Sequence, residues 1–190
     1  MRNIIAYMAV LNEVEYIEYA IRSTINHVKR MIVIEGAWGE CSASSGKVRS
    51  DDGTIEILDR LRKEFSNLEV YHANEPTQLD QRNKVFEHIN EDCWLLLQDA
   101  DEVYDLKSIE QVKNIAADNP PVMAIRFNSY TFVNDFYSYS DIMFPRLFNI
   151  EQGKKYYFKA ANDVLPVGQN VAQALDVNDL YFHHYSNQQL

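Results

Sequence analysis

The chain has 190 residues, of which 46% are apolar and 24% charged, the composition of a folded globular domain rather than a disordered or fibrous chain. At this length roughly 70% of the unfolded surface can be buried, so no disulfide or structural metal is needed for stability. With 18 basic against 28 acidic side chains the net charge is −10. No Lys/Arg cluster could neutralise phosphates, so nucleic acid is not expected as a partner.

Cys41 and Cys93 form no CxxC pair, which fits a reducing, cytoplasmic setting. The longest apolar run, residues 4–11, is far below the roughly 20 residues that cross a bilayer, and no transmembrane segment is expected. That run reads as a core strand rather than a signal peptide.

In chain order, the continuous apolar run 4–11 predicts a first strand, and Ile17, Ala20, Ile21, Ile25 and Val28 recur at helical spacing behind it. Residues 31–34 predict a second buried strand, followed by a Gly/Ser-rich loop to Gly53. Ile55, Leu58, Leu61 and Phe65 mark a second helix, residues 68–71 a third strand, and Leu79, Arg82, Phe86 and Ile89 a third helix behind Pro76. Residues 94–97 predict a fourth strand. Leu106, Ile109, Val112 and Ala116 mark a fourth helix, which Asn119-Pro120-Pro121 ends. Beyond Pro121 the aromatic-rich stretches 122–132, 143–148, 155–158 and 175–185 suggest mixed or antiparallel strands.

Strands alternating with helices imply an α/β domain with a mainly parallel sheet covered on both faces. No flexible linker separates the halves, so residues 1–190 read as one domain, with a first half to about residue 105 and a second from about 120 to 190.

Ligands of such sheets bind beyond the carboxyl ends of the strands. Those positions are acidic here: Asn12-Glu13, Glu35-Gly36 and Asp99-Ala100-Asp101-Glu102. Converging carboxylates repel one another unless a cation sits among them, and oxygen ligands suit Mg2+ or Mn2+. If the chain is still extended at Asp99 and Asp101, they share a face with Ala100 turned away, about 6.5 to 7 Å apart. No GxGxxG or P-loop spacing is present, which disfavours dinucleotide oxidoreductases and P-loop NTPases and leaves a diphosphate to a metal and to Arg82, Arg126 or Arg146.

Asn12-Glu13, Glu35, Ser50-Asp51-Asp52-Gly53-Thr54, Arg82-Asn83 and Asp99-Ala100-Asp101-Glu102 together resemble the nucleotide-sugar half of GT-A glycosyltransferases of the family-two type. The resemblance implies a GT-A-like three-layer sandwich. It also implies metal-dependent transfer of a sugar from a nucleoside diphosphate, UDP being the expected one, to a saccharide or other hydroxyl acceptor with inversion. It places Asp99 and Asp101 in the metal-binding DxD, and Asn12, Glu13, Glu35, Asp52, Arg82 and Asp99 around the donor nucleotide.

In the second half, Phe144-Pro145-Arg146-Leu147-Phe148 resembles the family's Arg-Leu-Phe strand, Asp163 falls where it carries its catalytic carboxylate, and His184 before Tyr185 resembles the histidine that completes its metal site. On a strand His183 and His184 face opposite ways, and only His184 shares a face with Leu180 and Phe182. Two rival readings are a non-catalytic nucleotide-binding or assembly protein that keeps the fold, and a nucleotidyltransferase. The second typically has a Gly-rich first loop, and residues 6–13 contain no glycine.

Overall fold

The computed structural model describes residues 2–39, 46–132, 139–169 and 173–185. Cys41 and the centre of the aromatic stretch after Phe132 lie outside them. The first strand, β1 (Asn3–Val10), is followed by α1 (Ile17–Thr24), β2 (Arg30–Glu35), α2 (Thr54–Glu64), β3 (Leu68–His72), α3 (Gln78–Asn83) and β4 (Cys93–Leu97). Then come β5 (Glu102–Val103), α4 (Leu106–Asp118), β6 (Ala124–Phe132), β7 (Tyr139–Ile150), β8 (Tyr156–Ala160), β9 (Asp163–Pro166) and β10 (Ala174–His184). Eight strands form one sheet in the order β3-β2-β1-β4-β7-β6-β10-β5, and β8 and β9 form a small antiparallel sheet. This is the expected α/β architecture.

The strands β3, β2, β1 and β4 are parallel, with β1 paired to both β2 and β4. A strand flanked on both sides and covered on both faces has no polar side, hence the unbroken apolar run. Its residues divide between two layers by the period of two. Ile4, Ala6, Met8 and Val10 pack with Ile17, Ile21, Leu58 and Ile109 from α1, α2 and α4, whereas Ile5 and Tyr7 pack with Val85, Phe158 and Val164 on the other face. β7 then pairs antiparallel with β4, so one sheet runs through both halves of the chain.

Local differences from the sequence reading have local causes. The first helix ends at Thr24, and Ile25–His27 forms one 3-10 turn before Val28 turns extended to enter β2, although Val28 keeps its place in the core. The third helix likewise ends at Asn83 and tightens into a 3-10 turn, Lys84–Glu87. Thr77 caps its start by accepting the Asp80 N–H at 3.1 Å, and Asp105 caps α4 by accepting the Ser108 N–H at 2.7 Å. β5 and β9 are strands that no periodicity announced. No helix among the described residues is long and apolar enough to cross a membrane.

The edge strand β5 matters most for the site. It pairs antiparallel with the end of β10, Glu102 opposite His184 and Val103 opposite His183, and the Tyr185 N–H donates to the Asp101 carbonyl at 2.9 Å. The turn after β4 and the end of β10, more than 80 residues apart in sequence, are thereby joined.

Candidate active site

The turn after β1 is fastened to residues 50–54. Asn12 adopts a left-handed backbone, φ 55°, a conformation that Asn tolerates better than most residues. Its N–H donates to Ser50 Oγ at 2.9 Å and its Oδ1 accepts the Asp51 N–H at 3.0 Å. The Glu13 N–H donates to Thr54 Oγ1 at 2.8 Å and the Val14 N–H to Asp52 Oδ2 at 3.0 Å. Asp52 Oδ1 accepts both the N–H and the hydroxyl of Thr54. Burial pushes the Asp52 carboxyl up, but the bonds from Thr54 and Val14 prevail and hold it below the usual range.

Glu35, at the end of β2, is fully buried. Its Oε1 accepts the Ser50 N–H at 2.7 Å, and its Oε2 faces Arg49 Nε at 3.2 Å and His72 Nδ1 at 2.8 Å. Burial raises its pKa, yet these partners together lower it below the ordinary value. Expected beside the nucleotide, Glu35 has both carboxylate oxygens engaged by residues 49, 50 and 72, and it braces the loop. Asn12 and Asp52 also have their side-chain oxygens engaged by the chain.

Glu13 differs. Among the described residues nothing donates to its carboxylate, and burial, together with the charges of Asp101, Asp52 and Asp99, pushes its pKa up to about 7. Burial is the leading cause, and the neighbouring carboxylates add to it.

The DxD turn divides its two aspartates. Asp101 Oδ2 lies 3.2 Å from His184 Nε2. Burial would lower the His184 pKa, but contact with Asp101 raises it above the ordinary value. Leu180 and Phe182 are fully buried on the His184 face, while the His183 ring lies among Tyr130, Phe132 and Tyr185.

Asp99 turns the other way, with Oδ1 at 2.7 Å from Arg82 Nη2 and Oδ2 at 3.2 Å from Arg146 Nη2. Burial pushes the Asp99 carboxyl up, but the two guanidinium groups outweigh it and hold it below the usual range. The expected metal trio therefore meets only as the pair Asp101 and His184. Among the described residues no three His, Cys, Asp or Glu side chains converge as a ready-made metal cage.

Arg146 is the residue whose role the sequence left undefined. It is buried on β7 against the rings of Phe144 and Phe182, 5.1 and 5.2 Å from their centroids. Its Nη2 also contacts Glu102 Oε1, and its Nη1 donates to Asn162 Oδ1 at 2.6 Å. Burial pushes the Glu102 carboxyl up to about 7 against the pull of Arg146. Asn162 immediately precedes Asp163, which opens β9 and is partly exposed. Arg82 is buried with Nε and Nη1 lacking partners among the described residues. Arg126, also considered for a diphosphate, is instead in a two-pronged pair with Asp176 on the β6–β10 surface.

The sequence model of the family described as "Glycosyl transferase family 2" matches residues 49–172. The fold is shared with the structure of S. aureus TarS residues 1–349, at 15% identity and a TM-score of 0.52, over 71% of this chain and 37% of that one. It is also shared with 4-diphosphocytidyl-2C-methyl-D-erythritol synthase from Anaerococcus prevotii DSM 20548, at 12% identity and a TM-score of 0.50, over 78% and 70%. Glucosyl-3-phosphoglycerate synthase from Mycobacterium tuberculosis, solved with Mn2+, UDP and phosphoglyceric acid, aligns at 16% identity and a TM-score of 0.49, over 70% and 44%. The chain thus spans about a third of the TarS structure it aligns with. No curated protein sequence matches it. With the family match covering well over half of the 190 residues, and its strand ends carrying the acids described above, the chain belongs to glycosyl transferase family 2.

Proposed function

We propose that this chain is the catalytic domain of a metal-dependent glycosyltransferase that takes a sugar from UDP and delivers it to an acceptor hydroxyl with inversion. The observation that carries this reading is the Asp101–His184 pair beside Glu13, a carboxyl pushed up to about 7 by burial and by its acidic neighbours. Mg2+ and Mn2+ are commonly held by one or two carboxylates while phosphates and waters fill the remaining positions. Asp101 and His184 fit such a site as the two protein ligands. The nearby negative charge of Glu13 and Asp52 favours a cation, and no complete protein cage is required.

A bound Mn2+ or Mg2+ would supply positive charge to the leaving diphosphate. Asp99 is assigned to hold Arg82 and Arg146 in place rather than to ligate the ion. Arg82 lies against Asp99 on the turn that carries Asp101, and its positive charge favours an anionic group there. Asn12, Glu35 and Asp52 shape the wall against which the nucleoside would rest. Asp163 is assigned as the base, taking the proton of the acceptor hydroxyl as that oxygen bonds to the anomeric carbon and the bond to the diphosphate breaks.

Calorimetry of UDP binding with Mn2+ and with EDTA tests the reading. Affinity should depend on Mn2+ in the unaltered protein, and Asp101→Ala should remove the dependence. Equal UDP affinity in Mn2+ and EDTA would refute it.

A further inference from the structure

Arg146 touches both parts of the site. Its Nη2 lies against Asp99 and Glu102 on the turn after β4, and its Nη1 holds Asn162 in the turn between β8 and β9. A guanidinium is a flat, rigid fork, so its two ends cannot move independently. The rings of Phe144 and Phe182 both pack against the group, and Arg146 is almost wholly inaccessible. The β8–β9 hairpin is otherwise outside the main sheet. Its two strands are held close to the turn by packing, through the facing pair Phe158 and Val164 in the core beneath β1, and by the Phe158 N–H donating to Asn83 Oδ1 at 2.7 Å. The turn that carries Asp163 is fixed to the Asp99 turn through Asn162 and Arg146.

We propose that Arg146, acting through Asn162, is a positioning residue that couples the donor turn to the hairpin bearing Asp163, so that filling the donor site orders the catalytic carboxylate. The proposal rests on the assignment of Asp163 and of the donor site above. Neither Arg146 nor Asn162 touches reacting atoms in this scheme. Their contribution is orientation, and a displacement of about 1 Å at a reacting group can lower a rate about a hundredfold.

Loss of Arg146 would also strip the buried Glu102 of its charged partner, so Asn162 is the cleaner site to alter. Asn162→Ala cuts the tie and leaves Arg146 on Asp99 and Glu102. Asn162→Asp keeps an acceptor of the same shape. Amide exchange at residues 161–166 should slow when UDP and Mn2+ are added to the unaltered protein. Asn162→Ala should lose that response while binding UDP as before, and Asn162→Asp should keep it. In sugar transfer, Asn162→Ala should lower kcat about tenfold or more with the donor KM unchanged, and Asn162→Asp should restore it.

A hairpin that responds equally in the unaltered protein and in Asn162→Ala, or in neither, overturns the coupling. Asn162-dependent protection in a protein that transfers no sugar would uphold the coupling and overturn the assigned activity. Transfer that Asn162→Ala leaves untouched would do the reverse.

Discussion

Removing the Arg146 side chain charge should be among the most damaging single changes in this domain, and the size of the loss can be reasoned from its partners. In Arg146→Met the fully buried Glu102 retains, among the described residues, only the Asp99 N–H, 3.2 Å from its Oε2, while Asp99 keeps Arg82. Breaking a buried pair by deleting one member costs about 3–5 kcal/mol because a charge is left uncompensated. For a chain of this size that corresponds to a fall in Tm of about 6 to 20 °C. Replacing the second charge as well, in Arg146→Met/Glu102→Gln, removes the uncompensated group and should recover more than half of the loss.

The pH dependence has a fixed sign. Glu102 sits at about 7 when folded, above the ordinary 4.5, so between those values the folded state holds a proton that the unfolded state has released. Its contribution therefore grows less favourable as pH rises through that window. Without Arg146 the folded value moves higher still, so the gap between variant and unaltered protein should be widest near pH 8 and narrow toward pH 5. Urea unfolding followed by circular dichroism measures this as a shift in midpoint at constant slope. A single variant that loses less than about 1 kcal/mol, or a double variant less stable than the single one, would refute the reasoning.

Two further outcomes concern the site itself. His184→Ala should weaken Mn2+ binding about tenfold or more, measured by calorimetry, whereas His183→Ala, whose ring lies among Tyr130, Phe132 and Tyr185, should leave it unchanged. A larger effect at His183 would mean that the wrong face of β10 has been assigned to the metal. Asp163→Asn should lower sugar transfer about a hundredfold while UDP affinity in Mn2+ stays the same. Unchanged turnover would give the role of base to another carboxylate.

What the sequence revealed follows from how each element is buried. Ile4, Ile5, Ala6, Tyr7 and Met8 lie in a strand covered on both faces, so the run has no polar interruption and is legible from five adjacent letters. Glu102–Val103 has two residues and Asp163–Pro166 four, too few to show a period, and both are strands because of what lies beside them. Position at strand ends also located the acids, since the alternation of strands and helices fixes which turns lie on the ligand side.

Their roles were less legible, because a carboxylate after a strand can answer either of two needs. The loop 49–54 has backbone donors that require acceptors, and a charged ligand requires countercharge. Glu35 meets the first need: it accepts from Ser50 and faces Arg49 and His72. Glu13 contributes its backbone N–H to the loop and leaves its carboxylate among Asp101, Asp52 and Asp99. The two look alike in a motif, each an acid at the carboxyl end of a parallel strand. They separate only when the donors around each oxygen are counted. The same count separates Asp99 from Asp101 and sets it against Arg82 and Arg146, partners 17 and 47 residues away. A pattern of letters places an acid at the rim of the site; which cation it faces is decided by side chains that the fold brings in from elsewhere in the chain.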